Sequence, residues 1–351
     1  MDKNILIAPL NWGLGHATRC IPIIKALEEN GYTPIIASDG IALALLKKEF
    51  PHLLALELPS YNIEYPKKAS EFLWKMIKNT PRALISMQQE KNLTEKWVTE
   101  HQLCGVISDN RLGVHSKKVP SVFITHQLTV LSGSATWLSS KMHEYYIRKF
   151  NECWIPDTAD GLNLTGKLGH IERTSLKIKY IGVLSRLRKL DLPIVYNLMI
   201  ILSGPEPQRT ILEEKLISEL SDYKGRVVFI KGKIESQQSV AIKDNITFYN
   251  FMQTEQLEKT FNESEMVLCR SGYTTIMDLV KLEKKAFFIP TPGQFEQEYL
   301  AERYYKKGIL PMAKQEQFKM EAVNAVDLYV GLPIIKSDVN WAALFALFEG
   351  E

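Results

Sequence analysis

Val267-Leu-Cys-Arg-Ser-Gly-Tyr-Thr-Thr-Ile-Met-Asp278, followed by Ala286-Phe-Phe-Ile-Pro-Thr-Pro-Gly-Gln-Phe-Glu-Gln297, reads as strand, polar turn, helix, strand, loop and helix. The apolar run 266–269 has the length of a buried parallel strand, and Arg270, Ser271 and Gly272 break it where a helical pattern starts. A helix N-terminus offers unpaired backbone N–H groups and the positive end of the helix dipole, so this turn suits a phosphate. Asp278 lies seven residues after Ser271 and is expected on the same helical face, roughly 10 Å further along. That spacing suits one ligand with a diphosphate at the helix tip and a ribose diol at the carboxylate. The same letters also spell an ordinary βαβ turn capped by Ser271, with Asp278 on a solvated face.

Outward from this unit, short apolar runs alternate with helical patterns, the mark of α/β architecture with parallel sheets. In the first half strands are expected at 4–10, 33–38, 53–58, 105–108, 121–125, 152–155 and 179–183, with helices at 19–30, 41–50, 69–89 and 135–150. In the second half strands are expected at 197–202, 226–230, 246–249, 266–269 and 286–289. Helices there start near Pro207, Thr254, Gly272, Gln294 and Gln315. The charged stretch 184–193 ends at a proline before a fresh winding, which places a first domain at 1–188 and a second at 189–335. The C-terminal stretch 336–351 ends in an amphipathic helix expected to pack back on the first domain. The expected fold is two doubly wound Rossmann-like domains facing each other across a cleft, with ligands outside the carboxyl ends of the strands.

Composition narrows the class. A chain of 351 residues with 45% hydrophobic and 24% charged residues is that of a soluble globular protein of two domains. A formal charge of +3 does not argue for nucleic acid, and it is compatible with an anionic nucleotide or an anionic membrane surface. Cys20, Cys104, Cys153 and Cys269 are scattered and form no C-x-x-C pair, which suits free thiols in a reducing cytosol. The start passes straight into a strand without a signal-peptide core, and no apolar run reaches the roughly 18 residues of a span. The expected location is cytoplasmic. Two stretches mixing aromatics with Lys and Arg, 72–82 and 137–149, suit peripheral contact at the inner face of a membrane or the cover of a sheet.

The first turn, Pro9-Leu-Asn-Trp-Gly-Leu-Gly-His-Ala-Thr-Arg19, carries Gly13 and Gly15 for close backbone approach. His16 is expected at the loop tip, as a general base or as a structural histidine capping the helix. The turn is not G-x-G-x-x-G, and Asp39 is a weak candidate for a ribose contact. Ser203-Gly204 opens the second domain as a further backbone contact to phosphate, although Pro205 and Pro207 remove donors there. Lys231 and Lys233 follow a strand where a cation would balance a diphosphate, and Tyr249 to Met252 are placed to flank a base ring. Gln294, Gln297 and Glu298 cluster at a helix start and suit sugar hydroxyls. Asp109, Arg111, His126 and Gln127 are expected at the rim of the first domain's strand ends. Absent are a D-x-D pair, H-E-x-x-H, G-x-S-x-G and the Walker pattern, so neither a metal centre nor a serine nucleophile nor a P-loop is expected.

With these residues in view, the chain resembles the GT-B glycosyltransferases, and most of all the family 28, MurG-like enzymes that use UDP-N-acetylglucosamine. Cys269-Arg-Ser-Gly272, Asp278, the Phe288-Ile-Pro290 strand end and Gln297 follow that family's donor-site pattern in order and spacing. The resemblance implies a donor site of Ser203, Gly204, Arg270, Ser271, Gly272, Thr274, Asp278, Gln297 and Glu298. In it Asp278 holds the ribose, Ser271 and Gly272 face the diphosphate, and Gln297 with Glu298 holds the sugar. It implies an acceptor side of Gly13, Gly15, His126 and Gln127, with His16 or else Asp109 as the base. The chain departs from the pattern at four positions: Asp278 for glutamate, Glu298 for glutamine, Arg19 for proline and Leu128 for asparagine. The expected activity is metal-independent transfer from a UDP-sugar to an acceptor hydroxyl on a glycan or lipid-linked molecule of the cell envelope, with the UDP-sugar as substrate and no cofactor. The alternatives are a UDP-sugar 2-epimerase or hydrolase of the same fold, or a non-catalytic nucleotide-sugar-binding protein.

Overall fold

The computed structural model describes residues 3–61, 72–233, 235–335 and 339–350, without the side chains of 72–81. The chain divides into two compact units, one holding the described residues up to 185 together with 339–350, the other holding 186–335.

The first unit is built on a seven-stranded sheet. Its strands are β1 (Asn4–Pro9), β2 (Thr33–Ser38), β3 (Ala55–Glu57), β4 (Leu103–Asp109), β5 (Ser121–Ile124), β6 (Glu152–Ile155) and β7 (Ile178–Tyr180). They lie in the order β3-β2-β1-β4-β5-β6-β7, and every pairing is parallel. Chain order reverses between β1 and β4, where Ile7 lies opposite Ile107 and Pro9 opposite Asp109. Such a switch point opens a crevice at the carboxyl ends of the strands, so Pro9 and Asp109 mark its place. The helices are α1 (Gly15–Glu29), α2 (Gly40–Glu49), α3 (Phe72–Glu100) and α4 (Thr136–Ile147). Continuous apolar runs in the strands bury both faces, as parallel sheets require: Leu6, Ala8, Ile35, Ala37 and Val106 form one cluster, and Phe123, Phe150 and Ile155 belong to another.

The C-terminal helix Trp341–Phe345 and the turn after it belong to this unit. Asn340 caps the helix by accepting from the Ala343 N–H at 3.1 Å. Phe345 meets the Tyr32 ring edge-on at 5.7 Å, and Phe348 lies 6.3 Å from the Trp154 ring. Gly105 makes room for this contact, since a Cβ there would collide with the Phe348 ring.

The second unit repeats the winding. Its strands are β8 (Tyr196–Ile201), β9 (Val227–Ile230), β10 (Val240–Lys243), β11 (Ile246–Tyr249), β12 (Ser264–Cys269) and β13 (Lys285–Phe288), in the order β10-β11-β9-β8-β12-β13. Here the switch point lies between β8 and β12, with Ile200 opposite Leu268. The helices are α5 (Gln208–Glu219), α6 (Thr254–Asn262), α7 (Tyr273–Lys281) and α8 (Phe295–Lys306). Leu198, Ile200, Phe229, Leu268 and Phe287 pack with Leu212 and Leu216 of α5.

Three readings of the chain need correction. Helix α1 begins at Gly15, not 19, so His16 sits in its first turn and not at a loop tip. Strand β10 was not expected: it is the antiparallel edge partner of β11, and its four-residue run Val240-Ala-Ile-Lys243 is apolar yet fully exposed, too short to stand out as a strand. The segment after Gln315 is 3₁₀ in character instead of an α-helix. The expected start of the 69–89 helix lies outside the described residues.

Candidate active site

The first switch point holds a buried polar hub. Asp109 closes β4 with no exposed surface, and Arg19, on α1 one turn after His16, is 1% exposed. Residues three apart on a helix share a face, so His16 and Arg19 both reach the carboxylate. Arg19 Nε donates to Asp109 Oδ2 at 2.5 Å, and Nη2 donates to Oδ1 in the bidentate fork that makes such pairs strong. Its Nη1 donates to His126 Nδ1 at 3.0 Å. A guanidinium can only donate, so His126 Nδ1 accepts.

His16 Nδ1 stands 2.9 Å from Asp109 Oδ1 and 2.9 Å from Arg19 Nη2. In the tautomer that donates to the carboxylate, the charge-assisted arrangement, the lone pair is on Nε2, the ring nitrogen away from Asp109. Burial lowers the His16 pKa, against the pull of Asp109 and with the push of Arg19, so the ring is neutral at pH 7. For Asp109, burial alone would raise the pKa. The charge of Arg19, with the hydrogen bonds from Arg19 and His16, outweighs it and holds the carboxyl well below the usual carboxylate range.

These facts correct the rim picture. Asp109 is sealed and fully paired, so it orients His16 and is not itself placed to take a substrate's proton. Arg111 is buried as well: it donates to Pro9 O at 2.9 Å, to Glu90 Oε1 at 2.7 Å and to Asp39, which removes both Arg111 and Asp39 from the candidate ligand contacts. Gly13 adopts φ +71°, a turn that glycine takes without strain, and Gly15 opens α1. Gln127 follows His126, its N–H held by Thr125 Oγ1 at 3.0 Å. Arg19, named from the sequence only as a departure from the family's proline, is the residue that joins Asp109, His16 and His126, and its three-residue spacing from His16 on one helix is the signal for it.

The second switch point gathers Ser203 and Gly204 after β8 with Arg270, Ser271 and Gly272 after β12. Ser203 and Gly204 are exposed, and Gly204 adopts φ +101°. Gly272 is the N-cap of α7, and a Cβ on it would meet nothing closer than Thr275 Oγ1 at 3.9 Å. The helix tip therefore faces open space. Two side chains turn away from it. Ser271 is buried and donates to Gln297 O at 2.7 Å, so it neither caps α7 nor offers its hydroxyl at the tip. Arg270 donates to Ile289 O at 3.1 Å, Pro290 O at 3.0 Å, Gln208 O at 3.0 Å and Gln315 Oε1 at 2.6 Å. Burial pulls its pKa down to about 10. It ties the floor of the site together and is not a ligand contact.

On α7 the apolar residues Tyr273, Ile276, Met277, Leu279 and Val280 are buried, whereas Thr274, Thr275 and Asp278 are half-buried. Asp278 therefore shares its face with Thr274 and Thr275, at three- and four-residue spacing, and not with Ser271, which precedes the helix. From Gly272 to Asp278 the rise is about 9 Å. Beyond β13, Gln297 Oε1 accepts from Thr291 N–H at 2.9 Å and Glu298 Oε1 accepts from Gly293 N–H at 2.8 Å. One oxygen of each side chain thus shapes the loop before α8. Lys231 and Lys233 lie 3.0 and 3.5 Å from Glu213, which also pairs with Arg209.

Among the described residues no three His, Cys, Asp or Glu side chains converge as metal ligands, and no helix is long and apolar enough to cross a membrane.

Residues 208–328 match the glycosyltransferase family 28 C-terminal domain. No curated protein matches the chain. Among solved structures, MurG from Acinetobacter baumannii superposes with a TM-score of 0.57 at 13% identity, over 99% of each chain. The spinosyn rhamnosyltransferase SpnG gives 0.62 at 13% identity, over 98% of this chain and 99% of its own. The glycosyltransferase SnogD from Streptomyces nogalater gives 0.61 at 13% identity, over 93% and 90%. Over residues 208–328 the chain matches the glycosyltransferase family 28 C-terminal domain, and as a whole it shares the fold of these glycosyltransferase structures.

Proposed function

We propose that the protein transfers a sugar from a UDP-sugar, such as UDP-N-acetylglucosamine, to an acceptor hydroxyl without a bound metal. The observation that carries this reading is that each unit has its own switch point, the first with an oriented histidine and the second with an open helix tip followed by Asp278. In the second unit the donor's diphosphate lies at the tip of α7, where backbone N–H groups and the helix dipole stabilise the charge that grows as it leaves. Asp278 accepts from the ribose hydroxyls. The remaining polar atoms of Gln297 and Glu298 bind the sugar, on a loop that their other atoms hold in shape.

In the first unit His16 Nε2 takes the acceptor's proton as its oxygen attacks the anomeric carbon. The bond from that carbon to the diphosphate oxygen breaks, and the diphosphate leaves with the electron pair. The imidazolium that forms is stabilised by Asp109. A one-step displacement of this kind inverts the anomeric configuration.

Acceptor and location belong to the same proposal. Helix α4 exposes Trp137, Leu138, Met142 and Tyr145, with Trp137 72% exposed, beside Lys141, Arg148 and Lys149. We propose that this face touches an anionic membrane from the cytoplasmic side and that the acceptor is lipid-linked. The side chains of the other candidate stretch lie outside the described residues, except Arg82. Two experiments test the reading. Calorimetry against UDP, dTDP, GDP and their sugars should find UDP the tightest nucleotide, and failure of all three nucleotides to bind would remove it. Sedimentation with phosphatidylserine vesicles should carry the protein down, and Trp137→Ser should release it; equal sedimentation of both would remove the α4 contact.

A further inference from the structure

Thr291, in the loop between β13 and α8, has a hydroxyl that the fold buries without a partner. The residue is 2% exposed, and its Oγ1 makes no hydrogen bond. A buried hydroxyl left unpaired is costly, and the usual resolution is a partner that arrives from outside the chain. The hydroxyl looks toward the Ser203–Gly204 turn. A Cβ built on Gly204 would lie 3.5 Å from Thr291 Oγ1 and meet nothing else within 4 Å. The missing side chain of Gly204 thus leaves room in front of the one buried side-chain hydroxyl without a partner among the described residues. Thr291 is also held in place: Gln297 Oε1 accepts from its N–H, and Gln297 O accepts from Ser271, the residue before the tip of α7.

We propose that Thr291 is a direct contact to the diphosphate of the nucleotide sugar, its hydroxyl donating to a phosphate oxygen that enters the space beside Gly204. This rests on the donor-site reading above. It adds a third strand end, that of β13, to the two at the switch point. The unpaired hydroxyl is kept because the ligand completes it, so the free protein is less stable than it would be with a valine there.

The test compares the full chain with Thr291→Val and Thr291→Ser, using calorimetry with UDP and with uridine, and thermal unfolding without ligand. The expected result for Thr291→Val is a UDP affinity at least about 10-fold weaker, an unchanged uridine affinity and a melting temperature equal to or above that of the parent. Thr291→Ser restores UDP binding. Equal UDP affinity in parent and Thr291→Val overturns the inference while leaving the donor site standing. A melting temperature that drops in Thr291→Val also overturns it, because the hydroxyl then has an internal partner. A parent chain that binds neither UDP nor uridine overturns this inference and the donor-site reading together.

Discussion

Asp109 receives two donors from Arg19 and one from His16 inside a wall that excludes water. Breaking one side of a buried pair leaves the other charge uncompensated, so Asp109→Asn should cost about 3–5 kcal/mol in urea unfolding. The sign with pH follows from the direction of the shift. A depressed folded pKa gives a contribution that is complete above the unfolded carboxylate value of about 3.9 and is lost as pH falls toward the folded value. Asp109 should therefore contribute to acid unfolding, and the Asp109→Asn chain should show a shallower loss of stability below about pH 4. His16 sets a second pH effect. Its lowered pKa keeps the base form at neutral pH, so kcat/KM for transfer should stay flat through pH 7 and fall only below the ordinary histidine value of about 6.5. His16→Ala should lower transfer by about 10²–10⁴-fold while leaving UDP affinity unchanged. A parallel fall in UDP affinity would place His16 outside the role given to it.

At the scale of elements, the strands were legible because parallel strands buried on both faces show as bare apolar runs. The bounds of β2, β6 and β11 follow directly from their sequences. Side-chain direction at the ends of elements was not legible. Ser271 and Arg270 are polar residues at a helix start, which reads as ligand chemistry, yet both turn inward to staple neighbouring loops. Their partners, Gln297 O and Gln315 Oε1, come from distant parts of the chain and leave no local trace. Asp278 was placed on the correct helix but against the wrong neighbour, because the helix begins at Tyr273. The Gly105 contact is likewise invisible in the letters. Gly105→Ala should destabilise the first unit by about 1–3 kcal/mol through the forced shift of Phe348, measurable as a lower melting temperature.

For the whole molecule, the order of strands decides where chemistry can occur. The double winding follows from alternating apolar runs and helices, and each winding yields one switch point. Both sets of polar strand-end residues lie at those points, which is why they are visible in the sequence although their contacts are not. The proposed donor half is the more completely specified, with a helix tip, a carboxylate and a loop shaped by Gln297 and Glu298, whereas the first unit contributes to the proposal only His16 and its neighbours. The direct measurement is therefore calorimetry of UDP binding to the full chain and to Asp278→Ala. The account predicts that the parent binds UDP and that Asp278→Ala binds it at least about 10-fold more weakly, the loss of charge-assisted hydrogen bonds to the ribose. Equal affinity in the two chains would contradict it.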